Sequence, residues 1–135
     1  MRILLALIVA LTACATKSSN NLPPRLGIYG GKNHQVFLGC LVCPDTASDS
    51  IWNRMGAKGG IYNSQSIWNW RNPYGDPTSQ HSPWNPTATN PPVIFDLHGK
   101  RYGRFTINRQ HSDFPTDPNI IELINKAEIR KRNRI

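Results

Sequence analysis

Three tetrads, Ser50-Ile51-Trp52-Asn53, Ser66-Ile67-Trp68-Asn69 and Ser82-Pro83-Trp84-Asn85, recur at a fixed interval of sixteen residues, and Gly59 and Gly75 keep the same register inside the first two units. A fixed period means that one local structure is built repeatedly, so every unit must solve the same burial problem. Each unit offers one large aromatic, one Asn able to bond nearby backbone, and glycines that tolerate positive φ. It reads as a turn-rich loop pinned by its tryptophan. Three such short units cannot stand alone as a solenoid and need a further surface to pack on.

Two flanking segments supply that surface. Ile28-Tyr29-Gly30-Gly31-Lys32-Asn33 leads into Phe37-Leu38-Gly39-Cys40-Leu41-Val42, and Ile94-Phe95-Asp96-Leu97-His98-Gly99-Lys100 leads into Tyr102-Gly103-Arg104-Phe105-Thr106-Ile107. Both read as β-hairpins, with β-branched and aromatic runs around Gly, Lys and Asn or His turns. In the second return strand Arg104, Thr106 and Asn108 alternate with Phe105 and Ile107, which predicts one polar and one apolar face. A lone hairpin is marginal in water, so the two should pair into one antiparallel sheet of about four strands, with the Trp repeat as the connection packed against it. Further on, Asp117-Pro118 supplies an N-cap and a first-turn proline, and Ile120, Ile121, Leu123, Ile124 and Ala127 form a stripe. These predict a helix over 118–132. The expected class is α+β, mostly β: residues 26–117 as a small β domain with the repeat at 50–90, then the C-terminal amphipathic basic helix.

The amino terminus has a different character. Arg2, the apolar run Ile3 to Leu11 and the small residues after it follow the order of a secretory signal. The run is too short to span a bilayer, which needs roughly 20 apolar residues. Leu11-Thr12-Ala13-Cys14 resembles the lipobox of bacterial lipoproteins. That resemblance implies a signal peptide over 1–13, lipidation of Cys14 and a membrane partner reached through the lipid. Ala15 rather than Asp at the next position resembles the sorting signal for the outer membrane. Ordinary secretion competes with this reading, since Ala13-Cys14-Ala15 is also a small-x-small cleavage site. Residues 14–25, which carry Lys17 and two each of Ser, Asn and Pro, have the composition of a tether.

From Leu26 to Asn108 the chain resembles a family of small uncharacterised bacterial exported proteins. The match rests on Leu38-Gly39-x-Leu41, the Ser-Ile-Trp-Asn units, Asn72-Pro73-Tyr74-Gly75, Ser82-Pro83-Trp84-Asn85 and Asn90-Pro91-Pro92-Val93-Ile94-x-Asp96-x-x-Gly99. The resemblance implies export and transfers no catalytic residue.

Among candidate sites, Cys40 and Cys43 form an even pair once Cys14 is committed to lipid. In an oxidising compartment a short-loop disulfide and two buried thiols both fit, although a regular strand would point the two side chains to opposite faces. His34, His81, His98 and His111 lack paired metal spacing, so no metal and no cofactor is expected. No Gly-x-Ser-x-Gly, His-Glu-x-x-His or phosphate-binding glycine loop is present, and a non-enzyme is expected. Positive charge gathers late: nine basic and four acidic residues follow from His98 onward. Arg130, Lys131, Arg132 and Arg134 form a basic patch at the negative end of the helix dipole. That patch reads first as a solvated terminus, and otherwise as a contact for anionic headgroups, peptidoglycan or DNA phosphates. No recognised nucleic-acid motif accompanies it, so nucleic acid is not an expected partner.

Two functional readings follow. In one, the chain is an envelope lipoprotein whose domain is a structural or interaction module, with Trp52, Trp68 and Trp84 in the core. In the other, Trp52, Asn53, Trp68, Asn69, Trp84 and Asn85 form an exposed platform for a glycan such as peptidoglycan, with sugar rings on the aromatic faces. The buried arrangement is favoured, because a small domain needs its large aromatics for stability.

Overall fold

The computed structural model describes residues 21–133. The signal segment, Cys14, the first part of the tether and Arg134 lie outside the described residues. Strands β1 (Leu26–Gly30), β2 (Val36–Cys40), β3 (Val93–Asp96) and β4 (Arg101–Arg104) form one antiparallel sheet in the order β2-β1-β3-β4, and helix α1 spans Pro118–Arg132. The two hairpins meet through β1 and β3, where Ile28 lies opposite Ile94. Alternation then sorts the side chains: Leu26, Ile28, Leu38 and Ile94 point into the core. Tyr29, Phe37 and Phe95 cluster on the other face, with Tyr29 at 5.4 Å from Phe37 and 5.8 Å from Phe95 between ring centroids.

The polypeptide between β2 and β3 is a train of turns. Backbone N–H groups bond the carbonyl three residues back at Ser50, Asn53 and Gly56, again at Ser66, Asn69, Asn72 and Gly75, and again at Ser82, Asn85 and Ala88. A turn therefore begins every three residues, which is why Ser and Asn stand three apart in each tetrad. Their side chains fix the corners. Ser50, Ser66 and Ser82 hydroxyls accept from the N–H of the following Trp two residues on, and Asn53, Asn69 and Asn85 accept from Met55, Arg71 and Thr87. The same three Asn amides donate back to the carbonyls of Ala47, Asn63 and Ser79, each at 3.0 Å.

Tryptophans join one unit to the next. The indole N–H of Trp52 donates to Leu41 O at 2.7 Å, that of Trp68 to Ile51 O at 2.7 Å, and that of Trp84 to Ile67 O at 2.5 Å. The rings follow in series, Trp52 to Trp68 at 6.2 Å, Trp68 to Trp84 at 5.3 Å, and Trp84 edge-on to Phe105 at 6.0 Å. Three rungs thus stack beside the sheet, starting where β2 ends and closing where β4 ends. One core cluster joins the sheet, Ile51, Ile67, Trp68 and Trp84 of the rungs, and Ile120, Ile124 and Ala127 of α1.

The second return strand is shorter than its alternation predicts. It ends at Arg104, and Thr106, expected on a polar face, is buried. The reason is that Phe105 to Asn108 leave the sheet to cover the third rung: Ile107 N–H bonds Pro83 O, and the Thr106 hydroxyl caps Asn108 N–H as the repeat serines do. The helix matches its predicted span, with the Asp117 carboxylate accepting from Asn119 N–H and Pro118 in the first turn.

Glycine is required where a rung doubles back. A Cβ at Gly59 or Gly75 would fall inside the Asn53 or Asn69 carbonyl of the same unit. Gly75→Ala should therefore cost about 2–3 kcal/mol through overpacking, and Trp68→Ala about 3–5 kcal/mol through its cavity. Trp70→Ala, at an exposed side chain, should stay within about 0.5 kcal/mol of the parent; urea unfolding monitored by circular dichroism reads all three.

Candidate functional site

Of the six residues predicted as a ligand platform, four are closed off. Trp68 and Trp84 are 3% and 5% exposed, and Asn69 and Asn85 are buried with amides committed to their own backbone. Trp52 and Asn53, in the first rung, are half-buried. The alternative of an exposed platform is corrected for Trp68, Asn69, Trp84 and Asn85: successive rungs cover these indole faces, and Phe105 covers the last of them.

The basic patch is corrected as well. Arg130 lies with its guanidinium 4.3 Å from the Trp68 ring centre and donates to Ile51 O at 3.1 Å and Gly59 O at 3.0 Å. Lys131 donates to Gly75 O at 3.0 Å and lies 5.6 Å over Trp84. Gly59 and Gly75 are equivalent positions of adjacent units, so two consecutive helical cations bind the same carbonyl on two rungs. Cation–π attraction and charge-assisted hydrogen bonds make this a seam between helix and stack rather than a solvated end. Only Arg132 of the described members is exposed.

Cys40 and Cys43 form a disulfide with Cα atoms 5.5 Å apart. The expectation that a regular strand would part them fails because β2 stops at Cys40, where the backbone turns toward the first rung. Cys40 N–H bonds Asp49 O, and Ile51 N–H bonds Cys40 O, so the crosslink braces the junction of sheet and stack.

A polar cluster that sequence reasoning missed joins the β1–β2 turn to the end of the repeat. His34 Nε2 lies 3.0 Å from both Asn90 Oδ1 and Arg104 Nη1, and the Asn90 amide nitrogen is 3.2 Å from His81 Nδ1. Arg104 also donates to Asn90 Oδ1 at 2.9 Å and Pro91 O at 2.6 Å, and its Nε is 3.5 Å from Asp113, which pairs with Arg101. Asn33 and His34 hold left-handed backbone, φ 59° and 53°, to reach this position. Nε2 would donate to the Asn90 oxygen and accept from the Arg104 guanidinium, so it serves one of the two at a time. Burial pushes the His34 pKa below its ordinary value, with Arg104 and Arg101 adding to the effect against the opposing Asn90 hydrogen bond and Asp113. The Arg104 Nη1 and Asn90 amide donors point to protein acceptors, and the buried Arg104 Nε, without a hydrogen-bond partner among the described residues, lies 3.5 Å from the Asp113 carboxylate, so the group acts as a clasp. Its partners stand far apart in the chain, and only the Asn90-Pro91-Pro92 break hints at it.

An open hollow runs along α1. Leu22, Pro23, Pro24, Val42, Leu123 and Ile129 line one part, and Val42, Trp52, Arg54, Lys126 and Ile129 line the adjoining part. Lys126 Nζ lies 4.3 Å over the Trp52 ring. In comparisons with known proteins, no family model, no curated protein and no solved structure matches this chain.

Because burial lowers the His34 pKa in the folded state, the unfolded chain binds the additional proton first as pH falls. Stability should fall as pH drops through the ordinary imidazole value of about 6.5, and His34→Asn should flatten that dependence, as read by melting temperature between about pH 7.5 and 5. Arg130→Ala should cost about 2 kcal/mol through its lost charged hydrogen bonds, whereas Arg132→Ala should leave unfolding almost unchanged.

Proposed function

We propose that the protein is an exported lipoprotein of the bacterial envelope, anchored through Cys14, whose body is a rigid non-catalytic interaction module. The observation that carries this reading is the Cys40–Cys43 disulfide. A crosslink at a structural junction suits an oxidising compartment, and it agrees with the export signal and lipobox read in the first fourteen residues. The repeat supports the scaffold role, since its Ser, Asn and Trp polar atoms are engaged with its own backbone. Leu22 and the two prolines after it lie along α1, so the tether joins the body on the helix side. The outer membrane is the favoured site, with peptidoglycan or envelope proteins as the partners in reach.

Intact mass of membrane-extracted protein should give a chain starting at Cys14, carrying acyl groups, and two mass units lighter than the dithiol form. Cys14→Ser should move the protein out of the membrane fraction; a variant that stays bound as firmly as the parent refutes the anchor. Reduction of the remaining pair should lower stability by about 2 kcal/mol, the chain-entropy value for so short a loop.

A further inference from the structure

We infer that the helix-side edge of the rung stack docks on the anionic headgroup layer of the membrane that holds the anchor. This deepens the lipoprotein reading and rests on it. Six side chains form the surface: Arg54, Met55, Trp70, Arg71, Lys126 and Ile129. Arg54 and Trp70 are equivalent positions of adjacent units, as are Met55 and Arg71, whose backbone N–H groups are capped by equivalent asparagines. The tryptophan ladder therefore sets them next to each other on one corner of the stack. Arg54, Lys126 and Ile129 line the same hollow, which brings the helix into the same surface.

Their exposure is not what packing would select. Met55 is 96% exposed, Trp70 63% and Ile129 51%, whereas the tetrad residues Ile51, Ile67 and Trp68 of the same units are buried. Large apolar groups interleaved with cations suit an interface that is apolar below and anionic above, and tryptophan with arginine stacked on it is suited to headgroup depth. Arg71 lies 5.0 Å from the Trp70 ring centre. Arg54, Lys126 and Arg130 line one part of the hollow with Asp45, and Glu122 lines the other part; with Arg71 beside Trp70 the cations outnumber the carboxylates, so the charge complements anionic lipid. Tether geometry agrees. Leu22 lies in the groove that continues from this hollow, and the eight Cα-to-Cα steps from Cys14 to Leu22 span at most about 29 Å when fully extended, so the surface stays within reach of the headgroups.

The test uses the mature protein as cells make it, incorporated in vesicles of phosphatidylcholine with brominated acyl chains, with and without phosphatidylglycerol. The difference between parent and Trp70→Phe isolates the Trp70 emission. That emission should be roughly halved in the anionic vesicles and recover at about 0.5 M salt. It should stay unquenched in neutral vesicles and in an Arg54→Ser, Arg71→Ser, Lys126→Ser variant whose circular dichroism is unchanged. Equal quenching in anionic and neutral vesicles overturns the inference, as does preferential co-sedimentation with purified peptidoglycan over anionic vesicles. Intact mass separates the two readings: an acylated protein without quenching keeps the anchor and removes the docking, and an acyl-free protein that is still quenched on anionic vesicles does the reverse.

Discussion

An indole N–H has one donor, and in a buried position it needs an acceptor. Here each acceptor is the carbonyl just before the tryptophan of the preceding unit, with Leu41 filling that place for the first rung. That single bond fixes the sixteen-residue period, because a unit one residue longer or shorter would misplace both ring and carbonyl. It also determines which backbone lies beneath which ring, and so where the helix meets backbone carbonyls. Sheet, disulfide and helix are arranged around this stack: β2 delivers its first acceptor, β4 delivers Phe105 as its cover, and α1 lies along its side.

The helix seam shows how electrostatics is shaped by burial. At an exposed terminus Arg130 and Lys131 would contribute a few tenths of a kcal/mol each through the helix dipole. Laid against indole faces and rung carbonyls, they work at lower dielectric and add charged donors to the backbone acceptors of Ile51, Gly59 and Gly75. Flexible aliphatic stems cover apolar surface on the way. Charge at this site is thus part of the packing.

Local chemistry was the readable part. Both hairpins, their pairing into one sheet, and the helix from Asp117 onward follow from turn residues, β-branched runs and an apolar stripe, all of which act within a few residues. The tetrads announced a repeated loop, and the Ser-to-Asn spacing held the three-residue turn period in plain view, but the stacking partner lies seventeen residues back and leaves no local mark. Arg130 and Lys131 look like solvated charge because nothing near them in sequence shows that Gly59 and Gly75 will present carbonyls there. The cluster of His34, Asn90 and Arg104 was hidden for the same reason, His34 being fifty-six residues from Asn90 and seventy from Arg104. Cys40 and Cys43 depended on where a strand stops, the feature that propensity resolves least well.

A stack held by bonds from each unit to the one before it is extensible in principle. Duplication of one sixteen-residue segment would insert a storey whose ring lies 5.3 to 6.2 Å from its neighbours, as the present rings do, and leave both ends of the chain on their old neighbours. The helix sets the limit to such growth. Two adjacent cations bind two successive rungs, so an extra storey would rise past the last basic turn and present an uncovered tryptophan to solvent. The height of this body is therefore matched to the length of its final helix.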